Sequence, residues 1–225
     1  MRVFNLLLVL AALAVMSGSA NSNPYVSRSF SRPTPLGLVN IYLPGALCTG
    51  VQIAERRVIT AAHCLYKDDG KSLVDVKKIS VVSDVRVAPL IVSVSDSEIR
   101  SGFDGVSRTI ENFNSDVALL TLADSTLKSL PLPQLSEMPS RLGDSLFTTY
   151  YEPRKKHLKL IDAHCSLLNR KKRVLVLDCP VDFGASGAPV YQVGRNGATE
   201  LVAIIVAKAM WGNKAVALAV GVGPV

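Results

Sequence analysis

Short runs in which apolar and polar residues alternate, or in which apolar residues simply accumulate, fill most of the chain. They include LGLVNIYL, ALCTGVQIA, RVIT, KISVVS, PLIVSVS, DVALLTL, SLFTTYY, HLKLIDAHC, VLVLDC, APVYQV, LVAIIVA and AVALAVGV. Many are bounded by Gly, Pro, Asn, Asp or Ser, which stop strands and form turns. Beyond residue 20 no stretch sustains a helical period, so the pattern predicts about a dozen short strands and an all-β fold of sandwiches or barrels. The segment Leu122–Asp144 carries three prolines and little alternation. It reads as a connector between two β modules, with no internal repeat on either side.

The first twenty residues have another character. One Arg, an apolar run from Val3 to Met16 and small residues at Gly18 and Ala20 have the layout of a secretory signal, with cleavage expected after Ala20. The run is too short for a comfortable membrane span. The apolar C-terminal region is broken by Lys208 and by Gly212-Asn213-Lys214, so it reads as two strands. A soluble, secreted or periplasmic protein is the expectation, with no membrane span. Export bears on the four cysteines (Cys48, Cys64, Cys165, Cys179), an even number that favours two disulfides in an oxidising compartment, with three pairings open.

The chain has 225 residues, 48% of them hydrophobic, enough for one sizeable core or two adjoining ones. Its formal charge is +7, and the stretches Glu152–Lys159 and Asn169–Arg173 hold eight of its basic residues. A basic hairpin across 152–173 can attract anionic partners, although solvated hairpin tips explain the same pattern. No aromatic residue interleaves NRKKR, which argues against a dedicated nucleic-acid platform.

Three segments carry candidate chemistry. VITAAHC places His63 in an apolar turn beside Cys64; NSDVALLTL places Asp116 before an apolar strand; DFGASGAPV surrounds Ser186 with Gly184, Gly187 and Pro189. Each alone has an ordinary structural explanation: a satisfied core histidine, a strand-start turn, a glycine-rich loop. In the order His, Asp, Ser, within an exported all-β chain, they resemble the chymotrypsin-like (trypsin-fold) serine peptidases. Thr60-Ala61-Ala62-His63-Cys64 matches that family's histidine motif, and Gly184, Ser186, Gly187 and Pro189 match its GxSGxP motif.

That resemblance implies two packed six-stranded antiparallel β-barrels with the active site in the cleft between them. A first barrel over about residues 21–121 would carry His63 and Asp116. A connector would occupy about 122–139, and a second barrel over about 140–225 would carry Ser186 and an oxyanion hole from the Gly184 and Ser186 amides. It implies Cys48–Cys64 and Cys165–Cys179 disulfides, hydrolysis of protein or peptide substrates through an acyl-enzyme, and no metal or organic cofactor. A monomer is expected. Activity should rise with pH as the His63 imidazole gives up its proton.

The departures are informative. Ala185 stands where zymogen-type members have an acid before the nucleophile, and no IVGG-like start precedes LGLVNIYLP, so their activation ion pair is unavailable. The bacterial V8/glutamyl-endopeptidase-like branch is the nearer resemblance, and signal removal, with trimming near SRSFSRP, is expected to suffice for activity. The family position that floors the primary pocket falls on Pro180, and Val206 and Lys208 are further candidates for its lining. Pro180 offers no charge for Arg or Lys, and ELVAIIVAK lacks the histidine of glutamyl-specific relatives, so a small or apolar residue is expected before the cleaved bond. The chain ends at GVGPV, so the family's C-terminal helix is expected to be absent or reduced. The rival readings are a catalytically silent trypsin-fold protein that binds anionic partners through its basic hairpin, an esterase using the same triad and, last, a structural envelope protein.

Overall fold

Alternation is what builds the two halves of this fold. The computed structural model describes residues 36–83, 89–128, 130–136, 141–154 and 157–222. The signal segment 1–20, the segment SRSFSRP, the start of the first barrel before residue 36, Lys155 and Lys156 in the basic hairpin, and the last three residues lie outside them.

The first half contains β1 (Leu38–Leu43), β2 (Ala46–Ala54), β3 (Arg57–Thr60), β4 (Ser80–Val82), β5 (Ile91–Ile99) and β6 (Ala118–Leu122). They close into an antiparallel barrel in the order β1-β2-β3-β6-β5-β4. Closure leaves no unpaired edge to template aggregation. Its interior is apolar, with Val39, Ile41, Val51, Val58, Ile59, Val81, Val94 and Leu120 all buried.

The second half contains β7 (Gln134–Leu135), β8 (Ser145–Arg154), β9 (His157–Lys171), β10 (Val174–Leu177), β11 (Pro189–Val193), β12 (Thr199–Trp211) and β13 (Lys214–Gly221). The sheet runs β11-β8-β9-β10-β13-β12-β7, and a β11–β12 pairing closes six of these strands into a ring. Period-2 geometry then divides each strand between two destinations. On β13, Ala217 and Ala219 point into the ring, whereas Leu218 and Val220 join the core of the first barrel. On β12, Val202 and Ile205 face inward while Leu201, Ile204 and Val206 do the same outward packing. One contiguous apolar layer therefore joins the two separately closed sheets.

The all-β expectation and the two-barrel arrangement both hold. Two details differ from the pattern-based reading. The connector contributes β7, two residues paired in parallel with Glu200 and Leu201, too short to register as alternation. Among the described residues a single five-residue α-helix, α1 (Ile110–Asn114), precedes Asp116; Thr109 caps it by accepting from the Asn112 amide at 3.2 Å. Five residues lie well below the length at which helical periodicity can be read.

Candidate active site

His63 owes its position to a covalent and a packed constraint. After β3 the chain passes through buried Ala61 and turns once in a 3-10 helix, Ala62–Leu65. The next residue, Cys64, is disulfide-bonded to Cys48 on β2. Cys165 and Cys179 form the second disulfide, tying β9 to the segment after β10. Bonded to each other, these two cysteines have no thiolate to offer a metal.

Asp116 lies immediately after α1 and is 2% exposed. Its two oxygens serve different donors on one residue: Oδ1 accepts from the His63 backbone amide at 2.9 Å, and Oδ2 is 2.7 Å from His63 Nδ1. A buried carboxylate gripping both backbone and ring fixes the imidazole plane. An ionised carboxylate can only accept, so it selects the tautomer with the proton on Nδ1. Nε2 is then the acceptor, and it lies 2.9 Å from Ser186 Oγ. The structure brings the three candidate side chains into one hydrogen-bonded row, two from the first barrel and one from the second.

Ser186 is held from across the cleft. Thr49, next to Cys48 on β2, donates its amide to the Ser186 carbonyl at 2.8 Å and its hydroxyl to the Gly184 carbonyl at 2.6 Å. Thr60 Oγ1 in turn donates to the Thr49 carbonyl at 2.8 Å. The loop can come this close because Gly187 has no side chain. Its φ is +78°, and a Cβ there would lie 2.1 Å from the Thr49 carbonyl oxygen. Gly184 has φ +91°, and its Cβ would lie 2.2 Å from the Tyr151 carbonyl oxygen. Both sites exclude any other residue.

The Ala188 amide donates to the Ala185 carbonyl at 2.8 Å. A planar trans peptide sends its N–H opposite to its C=O, so this bond aims the Ser186 amide away from the loop. Among the described residues, neither that amide nor the Gly184 amide donates to any acceptor. Two free donors beside a hydroxyl poised on an imidazole are suited to receive a developing oxyanion.

The row opens into a cleft of about 350 Å³. His63, Asp116 and Ser186 line it, as do Val206 and Lys208 among the residues singled out for the pocket. Pro180 is exposed and not part of this lining; the buried Val181 beside it takes that wall. Phe103, Val106 and Phe113 face from the first barrel.

Residues 48–204, well over half of the chain, match the family model described as "Trypsin-like peptidase domain". The chain belongs to the trypsin-like peptidase family. No curated protein matches this trypsin-like peptidase. Among solved structures it is similar to a Glu endopeptidase determined in complex with MPD, with 16% identity and a TM-score of 0.66 over 84% of this chain and 86% of that one. At that identity the likeness is one of fold, and it agrees with the resemblance to the V8-like branch.

Some residues of this trypsin-like peptidase that hold the site gave no signal in its sequence. Thr49 is an unremarkable strand threonine until the serine loop folds onto it. Asp182 and Asn114 are likewise defined by partners distant in the chain: Lys208 for the first, Arg100 and the Arg173 amide for the second.

Proposed function

We propose that this protein is a secreted or periplasmic serine endopeptidase acting through His63, Asp116 and Ser186. The observation that carries the proposal is the unbroken row from Asp116 Oδ2 through the His63 ring to Ser186 Oγ, with spacings of 2.7 and 2.9 Å. In this reading residues 1–20 are a signal, and residues 21–225 form one peptidase domain of two barrels joined by a connector at about 122–139.

Ser186 Oγ attacks the peptide carbonyl carbon while its proton passes to His63 Nε2. Asp116 stabilises the resulting imidazolium, and the Gly184 and Ser186 amides take the negative oxygen. His63 then gives the proton to the leaving amine, and an acyl-enzyme on Ser186 forms. Water, deprotonated by the same imidazole, hydrolyses that ester and regenerates the hydroxyl. No electron transfer is involved, and every proton taken up is returned.

Two measurements test the reading. A serine-directed phosphonate should label wild type at Ser186 and leave Ser186→Ala untouched. The same substitution should lower turnover of a peptide substrate by roughly 10⁴–10⁶ with the fold intact. Wild-type hydrolysis by the variant, or no labelling of the parent, would rule the reading out in favour of a binding protein. Comparison of amide with ester substrates separates an endopeptidase from an esterase.

A further inference from the structure

A solvent-exposed ion pair lies in the lining of the cleft. Lys208, on β12, reaches Asp182, on the loop that leads to Ser186, with Nζ 3.2 Å from Oδ1. The two residues line the same cleft. Part of the same lining is apolar: Val181, Ala185, Ile205 and Val206 are all buried, with Ala207 between Val206 and the lysine, while Arg108 adds a further charge elsewhere in the lining. The space next to Ser186 is thus a recess whose lining is apolar in part and charged in part.

Asp182 is held in place as a counterion. Its Oδ1 also accepts from the Phe183 amide at 3.0 Å, and its own amide donates to the Tyr150 hydroxyl at 3.1 Å. The carboxylate is therefore oriented by the main chain before Lys208 arrives. The Lys208 hydrogen bond, followed by the Phe183 amide, holds the Asp182 carboxyl below its ordinary range. With side chains 60% and 50% exposed, such a pair adds little to fold stability. Its effect falls on what enters the recess: a bare ammonium there would attract a carboxylate, whereas a paired one presents almost no net charge.

We infer that Asp182 is a specificity-determining residue, which cancels the charge of Lys208 in the cleft lining so that the recess selects an uncharged apolar side chain before the scissile bond. This rests on the endopeptidase reading of the same cleft. If Asp182 were absent, Lys208 would be released, and acidic side chains would become acceptable.

The experiment compares peptides that differ only in that residue, leucine or valine against glutamate, in wild type, Asp182→Asn, Lys208→Gln and the double variant. Wild type should favour the apolar peptides. Asp182→Asn should raise kcat/KM for glutamate relative to leucine by about tenfold, and the double variant should lose that gain. Repeating the comparison as peptide binding to the Ser186→Ala form, with and without Asp182→Asn, reads the recess when no hydrolysis is involved. The same relative gain in affinity is expected there, whatever the outcome of the phosphonate test. An unchanged ratio in Asp182→Asn, a gain that persists in the double variant, or a wild-type preference for glutamate would each overturn the assignment.

Discussion

Thr49 donates its amide to the carbonyl of Ser186 at 2.8 Å, so the first barrel grips the main chain of the proposed nucleophile directly. Its hydroxyl makes a second, fully buried bond to Gly184. Thr49→Val keeps the shape and the amide bond but leaves the Gly184 carbonyl without its donor. An unpaired buried acceptor costs about 1–3 kcal/mol. The variant should fold with a lower denaturant midpoint, and kcat should drop by about tenfold or more while KM changes little. A variant with wild-type kcat would show that this grip does not position the loop.

Gly187→Ala is a harsher version of the same test. The added carbon would meet the Thr49 carbonyl oxygen at 2.1 Å and Thr60 Oγ1 at 2.3 Å, in a backbone conformation that already disfavours side chains. One clash is with backbone and cannot be relieved by a rotamer change. Loss of soluble folded protein, or a fall of several kcal/mol in unfolding free energy, is expected by denaturant titration.

These contacts mark where sequence reading stops. The strands, the two barrels and His63, Asp116 and Ser186 as candidates were legible because period-2 alternation and motif residues are local signals. Leu218 and Val220 against Ala217 and Ala219 show the limit: the alternation is plain in AVALAV, but which set faces the ring and which the other barrel depends on the closed sheet. The Thr49 clamp bridges 135 residues to Gly184 and has no signature at either end. Pro180, which the family resemblance puts at the pocket floor, is exposed, and its neighbour Val181 lines the cleft, a difference set by the loop's own path.

The Cys48–Cys64 bond predicts a coupled loss of stability and function. It closes a loop of sequence separation 16 around the strand and turn that carry His63. Constraining a loop of that size in the unfolded chain contributes about 3 kcal/mol in the chain-entropy account. Replacing both cysteines with alanine should lower unfolding free energy by about that amount. It should also reduce kcat by more than the same change at Cys165 and Cys179, which lie outside the histidine turn. Equal kinetic losses from the two double variants would argue that the first bond acts only through global stability.

Asp104 shapes the cleft wall opposite the serine loop. Its carboxylate accepts from the Val106 amide at 2.9 Å, from the Ser107 amide at 2.8 Å and from the Ser107 hydroxyl. The Ser107 hydroxyl first, then the two amides, hold its carboxyl below the ordinary range. A depressed folded-state value stabilises the turn above the unfolded aspartate value of about 3.9, and that contribution disappears as pH falls through the lower, folded-state value. The turn is therefore intact at neutral pH. Asp104→Ala should raise KM several-fold with kcat nearly unchanged, because Gly105, Val106 and Ser107 line the cleft without touching the reacting atoms. A kcat defect of the same size as the KM defect would contradict this division.

Asn114 joins the barrels behind the carboxylate. Its carbonyl accepts from Arg100 Nη1 at 3.2 Å within the first barrel, and its Oδ1 accepts from the Arg173 amide at 3.0 Å at the tip of the β9–β10 hairpin. Lys172, at that same tip, pairs with Glu111 of α1 at 3.2 Å, so part of the basic hairpin braces the turn that ends in Asp116. Burial, with the nearby Arg173 charge adding to it, pushes the Arg100 guanidinium down to about 10, still fully charged at neutral pH. Removing the Asn114 side chain should cost about 1 kcal/mol in stability. More tellingly, it should loosen the Asp116 grip on His63 and lower kcat several-fold with KM preserved. Because Lys172 and Glu111 are exposed, Lys172→Ala should have a much smaller effect on both quantities. If Asn114→Ala and Lys172→Ala behaved alike, the brace would be no more than a surface contact.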